Sequence, residues 1–544
     1  MLGHDAVAQA LVDEGVDTVF GVLGDGNLFI GDALMRLYGV NFVAATHEAN
    51  AVSMAEGWSK ATGRVGVATC THGPGLTNTT TAMVEGVKNR TPMVILTGDT
   101  PQTMRHHLQR IDQHALVVAT GAGFEPVNAP HTIAEDVARA FRRALAERRP
   151  IALNVPLPFE WEEIEYRPAR VVAQPSPAVG ADPDALDNAV GIIASAVRPV
   201  VLAGRGAHLS GARDALVALA SRLGAPLATS LLGSGMFNGE PHNLGVHGTL
   251  SHSLAGEVLS QADCIISFGA SLNQYTTDEG RLLDGKRLVQ IDRYADAVGD
   301  YQPADAIVIG DARLVAEQIS EMLDAIDHQP AAFASADLAE RLRSFDRRVD
   351  VDDRSTDTTI DLRTFTLEVD AMLPEDRVVA CDAGRFMLWG LNLSVPDPGS
   401  LITSHGFGAI GLGMSTAIGA AVARPDRPTV LAIGDGGFMM GGMIELSTAA
   451  HLGLDLIVLL YNDGSYGAEH IQLYAKNMDR SSSLHEWPDL LDVVRSYGCA
   501  ATRVTNTADL TELGDIIKNR DTNRPLVIEC MVDPEVYSAI MGTR

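Results

Sequence analysis

The chain reads as α/β throughout: three doubly wound parallel-sheet domains joined by two polar connectors. Three observations predict this. Short apolar strands alternate with segments of helical period, the arrangement of parallel sheets covered on both faces. Two stretches break the alternation with Pro, charge and no clear period, Glu162 to Asp184 and Asp324 to Thr359. A length of 544 residues exceeds one hydrophobic core and suggests three or four domains. The domains that follow are 1–161, 185–324 and 360–544, with neither short-period repeats nor low-complexity tracts.

In the first unit, an amphipathic segment leads into a strand expected at Thr18 to Leu23. Further strands are expected at Asn41 to Thr46, Val65 to Thr69 and Met93 to Thr97, with helices such as Ala49 to Thr62 between them. The second unit opens on the apolar run Pro199 to Ala203, which enters Gly204-Arg205-Gly206, and extends to about Leu323. A short helix is expected inside the second connector.

The third unit carries the densest signal. An apolar strand, Thr429 to Ile433, runs into Gly434-Asp435-Gly436-Gly437, and a helix-length stretch follows. A second apolar strand, Leu454 to Tyr461, ends on Asn462-Asp463-Gly464. That is one β-α-β unit, whose parallel strands can lie side by side roughly 4.8 Å apart. Asp435 and Asn462 then meet at the carboxyl ends of neighbouring strands, where open α/β sheets hold ligands. Carboxylate and amide oxygens suit Mg²⁺ or Ca²⁺, and Mg²⁺ is usually completed by water and phosphate oxygens. The glycines let the backbone approach a diphosphate with no Cβ in the way. A glycine-rich turn after a strand is common by itself; the Asn one crossover later gives it meaning.

Composition narrows the function class. With 41 basic against 69 acidic residues the net charge is −28, which argues against a general binder of nucleic acid or of an anionic membrane. Cys70, Cys264, Cys381, Cys499 and Cys530 are scattered with no CxxC, so neither a disulfide framework nor a zinc site follows. Each is expected as a small buried residue in a reducing compartment. The first residues lack a basic leader and a long apolar run, and no stretch reaches membrane-spanning length. The expected location is cytoplasmic.

The GDG-to-Asn pattern resembles the motif of thiamine diphosphate-dependent enzymes. The resemblance implies that the side chains of Asp435 and Asn462 and the carbonyl of Gly464 hold Mg²⁺, with Gly434, Gly436, Gly437, Ser465 and Tyr466 beside the cofactor. Two further motifs are similar to the family's. Thr46-His47-Glu48 and Gly73-Pro74-Gly75 resemble its HE and GPG motifs, and the matching Glu hydrogen-bonds N1′ of the aminopyrimidine. Read alone, Glu48 would be an ordinary first-turn acid meeting free N–H groups and the helix dipole. Ser404 to Ala421 resembles the segment in which Gly408 offers its carbonyl to the 4′-amino group and Ile410 wedges between the two rings.

Substrate contacts are implied more loosely. Gly24-Asp25-Gly26-Asn27 ends the first strand, where the family places active-site loop residues. His72 stands where acetolactate synthases carry a small hydroxyl residue. An imidazole titrates near neutrality and suits a proton relay; a structural histidine is the equal alternative. His106 to Asp112 resembles the family's FQExD loop, with Gln109 as its glutamine. Adjacent residues such as His106 and His107 rarely converge on one ion. In the middle unit Gly204-Arg205-Gly206, Gly245 to Gly248 and Val289 to Asp292 resemble the family's central domain. Some members bind FAD or an ADP moiety there and others leave it empty. Arg205 would meet a diphosphate or pair with a carboxylate.

The resemblance thus spans the chain as a pyrimidine-binding domain, a central Rossmann-like domain and a diphosphate-binding domain, similar to acetolactate synthase large subunits and 2-oxo acid decarboxylases. It implies decarboxylation or carboligation of a 2-oxo acid with a carbonyl acceptor, dependent on thiamine diphosphate and Mg²⁺. It further implies a homodimer or homotetramer in which Glu48 of one subunit faces the Asp435 and Asn462 site of its partner. After the metal motif the chain departs from acetolactate synthases: Asn462 to His470 lacks the Met and Trp of their acceptor pocket, leaving Glu469 or His470 to meet another acceptor. Two other readings stand beside this one. A thiamine-dependent lyase of 2-hydroxyacyl or oxalyl coenzyme A needs a basic nucleotide site, which the acidic, Lys-poor carboxyl tail does not favour. A non-catalytic binding or regulatory subunit has no use for Glu48, Asp435 and Asn462 together.

Overall fold

The computed structural model describes residues 1–170 and 178–536. Part of the first expected connector, 171–177, and the end of the third expected domain, 537–544, lie outside the described residues.

Among the described residues eighteen strands form three six-stranded sheets. The first holds β1 (Thr18–Gly21), β2 (Asn41–Ala44), β3 (Gly66–Cys70), β4 (Met93–Asp99), β5 (Gly123–Pro126) and β6 (Pro150–Pro156), in the order β2-β1-β3-β4-β6-β5. The second holds β7 (Pro199–Ala203), β8 (Leu227–Thr229), β9 (Asn243–Val246), β10 (Cys264–Phe268), β11 (Arg287–Asp292) and β12 (Ala306–Ile309), in the order β12-β11-β10-β7-β8-β9. The third holds β13 (Val378–Cys381), β14 (Leu401–Thr403), β15 (Thr429–Gly434), β16 (Leu456–Asn462), β17 (Ala500–Val504) and β18 (Leu526–Met531). Its order is β14-β13-β15-β16-β18-β17. The α/β class with three parallel sheets is therefore as expected.

Elements sit close to their expected limits, and local chemistry sets the differences. The first strand stops at Gly21 rather than Leu23 because Asn27 pulls the chain into a turn. Its side-chain oxygen accepts from the Gly24 N–H (2.8 Å), and its amide donates to the Val22 carbonyl (3.0 Å). The helix expected from Ala49 begins one residue earlier as α1 (Glu48–Thr62), capped by a His47 ring nitrogen that accepts from the Ala49 N–H. Strand β16 is buried along its whole length, as a central strand covered on both faces must be.

By compactness the described chain divides into two units. The second sheet forms one, together with residues 391–401 from the third expected domain. The first and third sheets share the other, and a single apolar cluster runs through both, from Phe20, Met54 and Ala55 to Met414, Ile418 and Leu431. Its seam is α1 against a second helix, α3 (Gly413–Ala423). A Cβ on Gly57 would lie 2.0 Å from the Thr416 carbonyl oxygen, and one on Gly419 would lie 1.9 Å from that of Met54. Backbone meets backbone at both points, which only glycine allows. Two more helices complete this unit's working parts: α2 (Thr80–Lys88) after β3, and α4 (Met443–His451) after β15.

Candidate cofactor site

Strands β15 and β16 pair in parallel with Gly434 opposite Tyr461, so Asp435 and Asn462 follow as neighbours at the two strand tips. Both are buried. The chain turns helical at Asp435 and stays so to His451, through a wider π-type turn at Phe438–Gly442. The first N–H groups of that run, at the positive end of its dipole, point out of the sheet tip as an anion seat.

The donor chemistry fits a hard divalent cation. The Asp435 carboxylate accepts from the Trp487 indole N–H at 2.6 Å. Burial, and then the negative charge of Asp463 beside it, push its carboxyl well above the usual carboxylate range. Two desolvated carboxylates side by side are costly without a cation to share. The amide nitrogen of Asn462 donates to Glu529 at 2.7 Å, and its oxygen accepts from the Gly464 N–H at 3.1 Å. Gly464 sits at φ +61°, a left-handed position that suits glycine, and its carbonyl accepts from the His485 N–H at 2.7 Å. Among the described residues no group of three or more His, Cys, Asp and Glu side chains is arranged for a metal. The candidate set instead combines one carboxylate, one amide and one backbone carbonyl, all oxygen donors.

The glycines form a cradle. A Cβ on Gly436 would lie 2.9 Å from the Tyr466 ring, and one on Gly437 would lie 2.3 Å from an Asp382 oxygen. Ser465 is spent on Asp463, to which its hydroxyl donates at 2.7 Å. Tyr466, His485 and Trp487 pack in sequence over this turn: Tyr466 meets His485 edge-on at 4.4 Å between ring centroids, and His485 stacks on Trp487 at 4.9 Å. Ile410 reaches the same place, 3.7 Å from the Cβ position of Gly436, while Gly408 is exposed.

Asp382 escaped the sequence reading. It follows β13, the neighbour of β15, and is fully buried. Its two oxygens accept from the Gly411 N–H (2.8 Å) and the Gly413 N–H (3.2 Å), and burial pushes its carboxyl up to about 7. The available signal was an acid directly after the apolar run Val378–Cys381. Arg385 was missed too: it donates to Asp463 at 3.1 Å and to the carbonyls of Asp533 and Pro534, which ties the segment after β18 to the Asn462 loop.

The first sheet presents a different set. Glu48 opens α1, half-buried, and accepts from the Asn78 amide at 2.9 Å. Its other oxygen lies 3.4 Å from the Cβ position of Gly75, so the motifs at Glu48 and Gly73–Gly75 adjoin. His72 is buried with both ring nitrogens unpartnered, packed against Gly26, and its ring centroid is 5.6 Å from that of His107. Burial, reinforced by His107, lowers its pKa and leaves it neutral at pH 7. The Gln109 backbone packs on Gly73, and its side-chain oxygen is buried without a partner. Asp25 is exposed, and the Asn27 amide is consumed inside its own loop, reaching Thr69 as well at 3.0 Å. His470 does not face an acceptor: it is buried among Ser483, Glu535 and Arg480, whereas Glu469 is exposed.

In the second unit Gly204 and Gly206 serve packing, for a Cβ on either would meet Gly269 backbone within 2.3 and 2.8 Å. His247 is buried, bonded to the Thr276 carbonyl at 2.6 Å, and desolvation pulls its pKa down to about 4. All five cysteines are buried, as expected, and burial pushes the Cys70 thiol up to about 12.

Comparison with known proteins identifies the family. Three models of the thiamine pyrophosphate enzyme match in order: the N-terminal TPP binding domain over residues 1–116, the central domain over 186–319 and the C-terminal TPP binding domain over 382–530. A probable 2-ketoarginine decarboxylase of Pseudomonas aeruginosa is 30% identical, covering 93% of this chain and 90% of its own length. The chain belongs to the thiamine pyrophosphate enzyme family. A probable acetolactate synthase large subunit of Methanocaldococcus jannaschii is 28% identical over 98% of this chain and 92% of its own. A probable sulfoacetaldehyde acetyltransferase of Rhizobium meliloti is 27% identical over 98% and 95%. This is a thiamine diphosphate-dependent enzyme of the acetolactate synthase-like group. The reading as a non-catalytic subunit falls away. No described helix is long and apolar enough to cross a membrane.

Proposed function

We propose that the enzyme decarboxylates a 2-oxo acid, with release or carboligation of the remaining fragment, using thiamine diphosphate and Mg²⁺. The observation that carries this is the pairing of β15 with β16, which sets Asp435 and Asn462 side by side beneath a glycine cradle. Asp435, Asn462 and the Gly464 carbonyl would hold Mg²⁺, and the N–H groups of Gly436 and Gly437 would meet the diphosphate. When bound, thiamine diphosphate would supply an acidic carbon as nucleophile and an electron sink for the bonding pair left behind as CO₂ departs. Glu48 would hold a proton at N1′ of the aminopyrimidine, the Gly408 carbonyl would accept from the 4′-amino group, and the Ile410 side chain would pack against the cofactor's rings. His72, buried and neutral, would accept a proton at the substrate oxygen and then return it, and Gln109 beside it would orient the same group.

Two subunits complete each site in this reading. Glu48 is half-buried in the single chain, and Phe407, Met440 and Ile444 leave 49%, 61% and 57% of their surfaces exposed in the same compact unit. A second copy would dry both. No observation favours FAD in the second unit, where the glycines are used for packing.

The test is a panel of 2-oxo acids, alone and with aldehyde or oxo acid acceptors, given to the protein with thiamine diphosphate and Mg²⁺. CO₂ release and ligated products are followed by mass spectrometry. Metal-dependent CO₂ release from one member is expected. Absence of thiamine diphosphate uptake by calorimetry, with Mg²⁺ present, would overturn the reading.

A further inference from the structure

The first and third sheets have the same strand order, so each element of one has a counterpart in the other. Helix α1 corresponds to α3, each after the second strand of its sheet, and α2 corresponds to α4, each after the third. Helices α2 and α4 carry one fully buried glutamate each, Glu85 and Glu445, and neither points its carboxylate into its own half alone.

Glu445, on α4, reaches the turn that opens α1. Its oxygens accept from the Thr46 hydroxyl (2.5 Å), the Thr46 N–H (3.2 Å) and the Asn50 amide (2.6 Å), besides Thr448 on its own helix (2.7 Å). Thr46 and Asn50 bracket Glu48. Glu85, on α2, reaches the turn before α3. Its two oxygens accept from the Gly406 N–H (2.8 Å) and the Phe407 N–H (2.6 Å), besides Asn89 (2.6 Å). Gly408 is the next residue. Each half thus grips the other half's working turn through a buried carboxylate at the equivalent place. A buried carboxylate with several N–H and O–H donors is a stiff support, because losing any donor strands charge in a dry interior.

We propose that Glu445 and Glu85 are a reciprocal pair of positioning residues: Glu445 sets the turn that carries Glu48, and Glu85 sets the turn that carries Gly408 and Ile410. The pair makes the geometry of one cofactor-facing turn depend on the folding of the opposite half. What the two turns do rests on the function proposed above; that they are held this way does not.

The test takes Glu445→Gln and Glu85→Gln in the full chain and reads amide hydrogen exchange of the free protein by mass spectrometry. An amide side chain keeps the shape but turns an N–H₂ toward some of the donors. Glu445→Gln should speed exchange in peptides spanning 44–50 by about tenfold and leave 404–409 unchanged; Glu85→Gln should do the reverse. Should a variant fail to fold, Thr46→Val and Glu85→Asp ask the same question more gently. A second readout separates positioning from mere adhesion between halves. At saturating thiamine diphosphate and Mg²⁺, exchange of the cofactor C2 proton should fall about tenfold in each variant while calorimetric affinity stays within threefold. Unchanged exchange in the targeted turn, or equal acceleration throughout the chain, overturns the proposal. Local acceleration with C2 exchange at the wild-type rate also overturns it, leaving adhesion only. If the wild-type chain takes up no cofactor, the proposed function fails while the amide-exchange arm still decides the clasp.

Discussion

The first and third sheets are built on one plan and equipped for different tasks. Their strand orders coincide, and their helices α1 and α3 meet through matching glycines, Gly57 and Gly419. Their strand tips do not coincide in chemistry. The third sheet gathers Asp382, Asp435, Asn462 and Asp463 around a turn rich in glycine, a donor set that fits the proposed cation beside backbone N–H groups that fit an anion. The first offers the half-buried carboxylates Glu48 and Asp99 and a neutral buried imidazole, His72. The comparison teaches that the sheet fixes where chemistry happens, and the one or two residues past each strand decide which chemistry.

The widest gap between the two halves should appear on exchanging a single oxygen in each. Asp435→Asn is expected to weaken Mg²⁺-dependent thiamine diphosphate uptake by at least about 100-fold, about 2.7 kcal/mol, in calorimetry. Glu48→Gln should leave that affinity within threefold yet cut C2 proton exchange by about 100-fold. Equal losses of affinity in both variants would erase the division of labour.

Next in size is the seam that joins the halves. A Cβ at Gly57 or Gly419 has backbone oxygen in its way, so Gly57→Val or Gly419→Val should cost about 3 kcal/mol. Thermal unfolding of the two variants should drop alike; a drop confined to one would show that the pseudo-symmetry is only topological.

A smaller effect is set by pH. The Asp382 carboxyl is held at about 7 by burial, above its unfolded value, so the folded chain keeps that proton longer. Its contribution to stability is complete below the ordinary carboxylate range and is lost as pH rises through about 7. The thermal midpoint of the metal-free protein should therefore fall between pH 5 and pH 8, and Asp382→Asn should flatten the fall. A slope equal to the wild type in that variant would remove Asp382 as its source.

Smallest of all should be the cysteines. Cys70 of the first sheet and Cys381 of the third are buried with raised thiol pKa values, so neither should react with a thiol reagent until the chain unfolds. Cofactor uptake by Cys70→Ala and Cys381→Ala should match the wild type.

The sequence by itself determined the α/β class, the strand tips and the Asp435–Asn462 pairing, because all of these are set within one crossover of chain. A strand, a helix and the next parallel strand bring their ends together by local geometry alone. Glu48 was legible through its motif and first-turn position. Tertiary structure alone decided the partners that arrive from elsewhere. Trp487 on Asp435, Glu529 on Asn462, and Asp382 beneath Gly411 and Gly413 come from separate strands or loops. Thr46 meets Glu445 across 399 residues and Gly406 meets Glu85 across 321, distances at which no periodicity carries information. The same holds for His470, whose place after the Asn462 motif suggested a substrate and whose packing gave it to Ser483, Arg480 and Glu535. Spacing along a chain specifies what neighbouring elements must do; burial, which settles the rest, depends on every element at once.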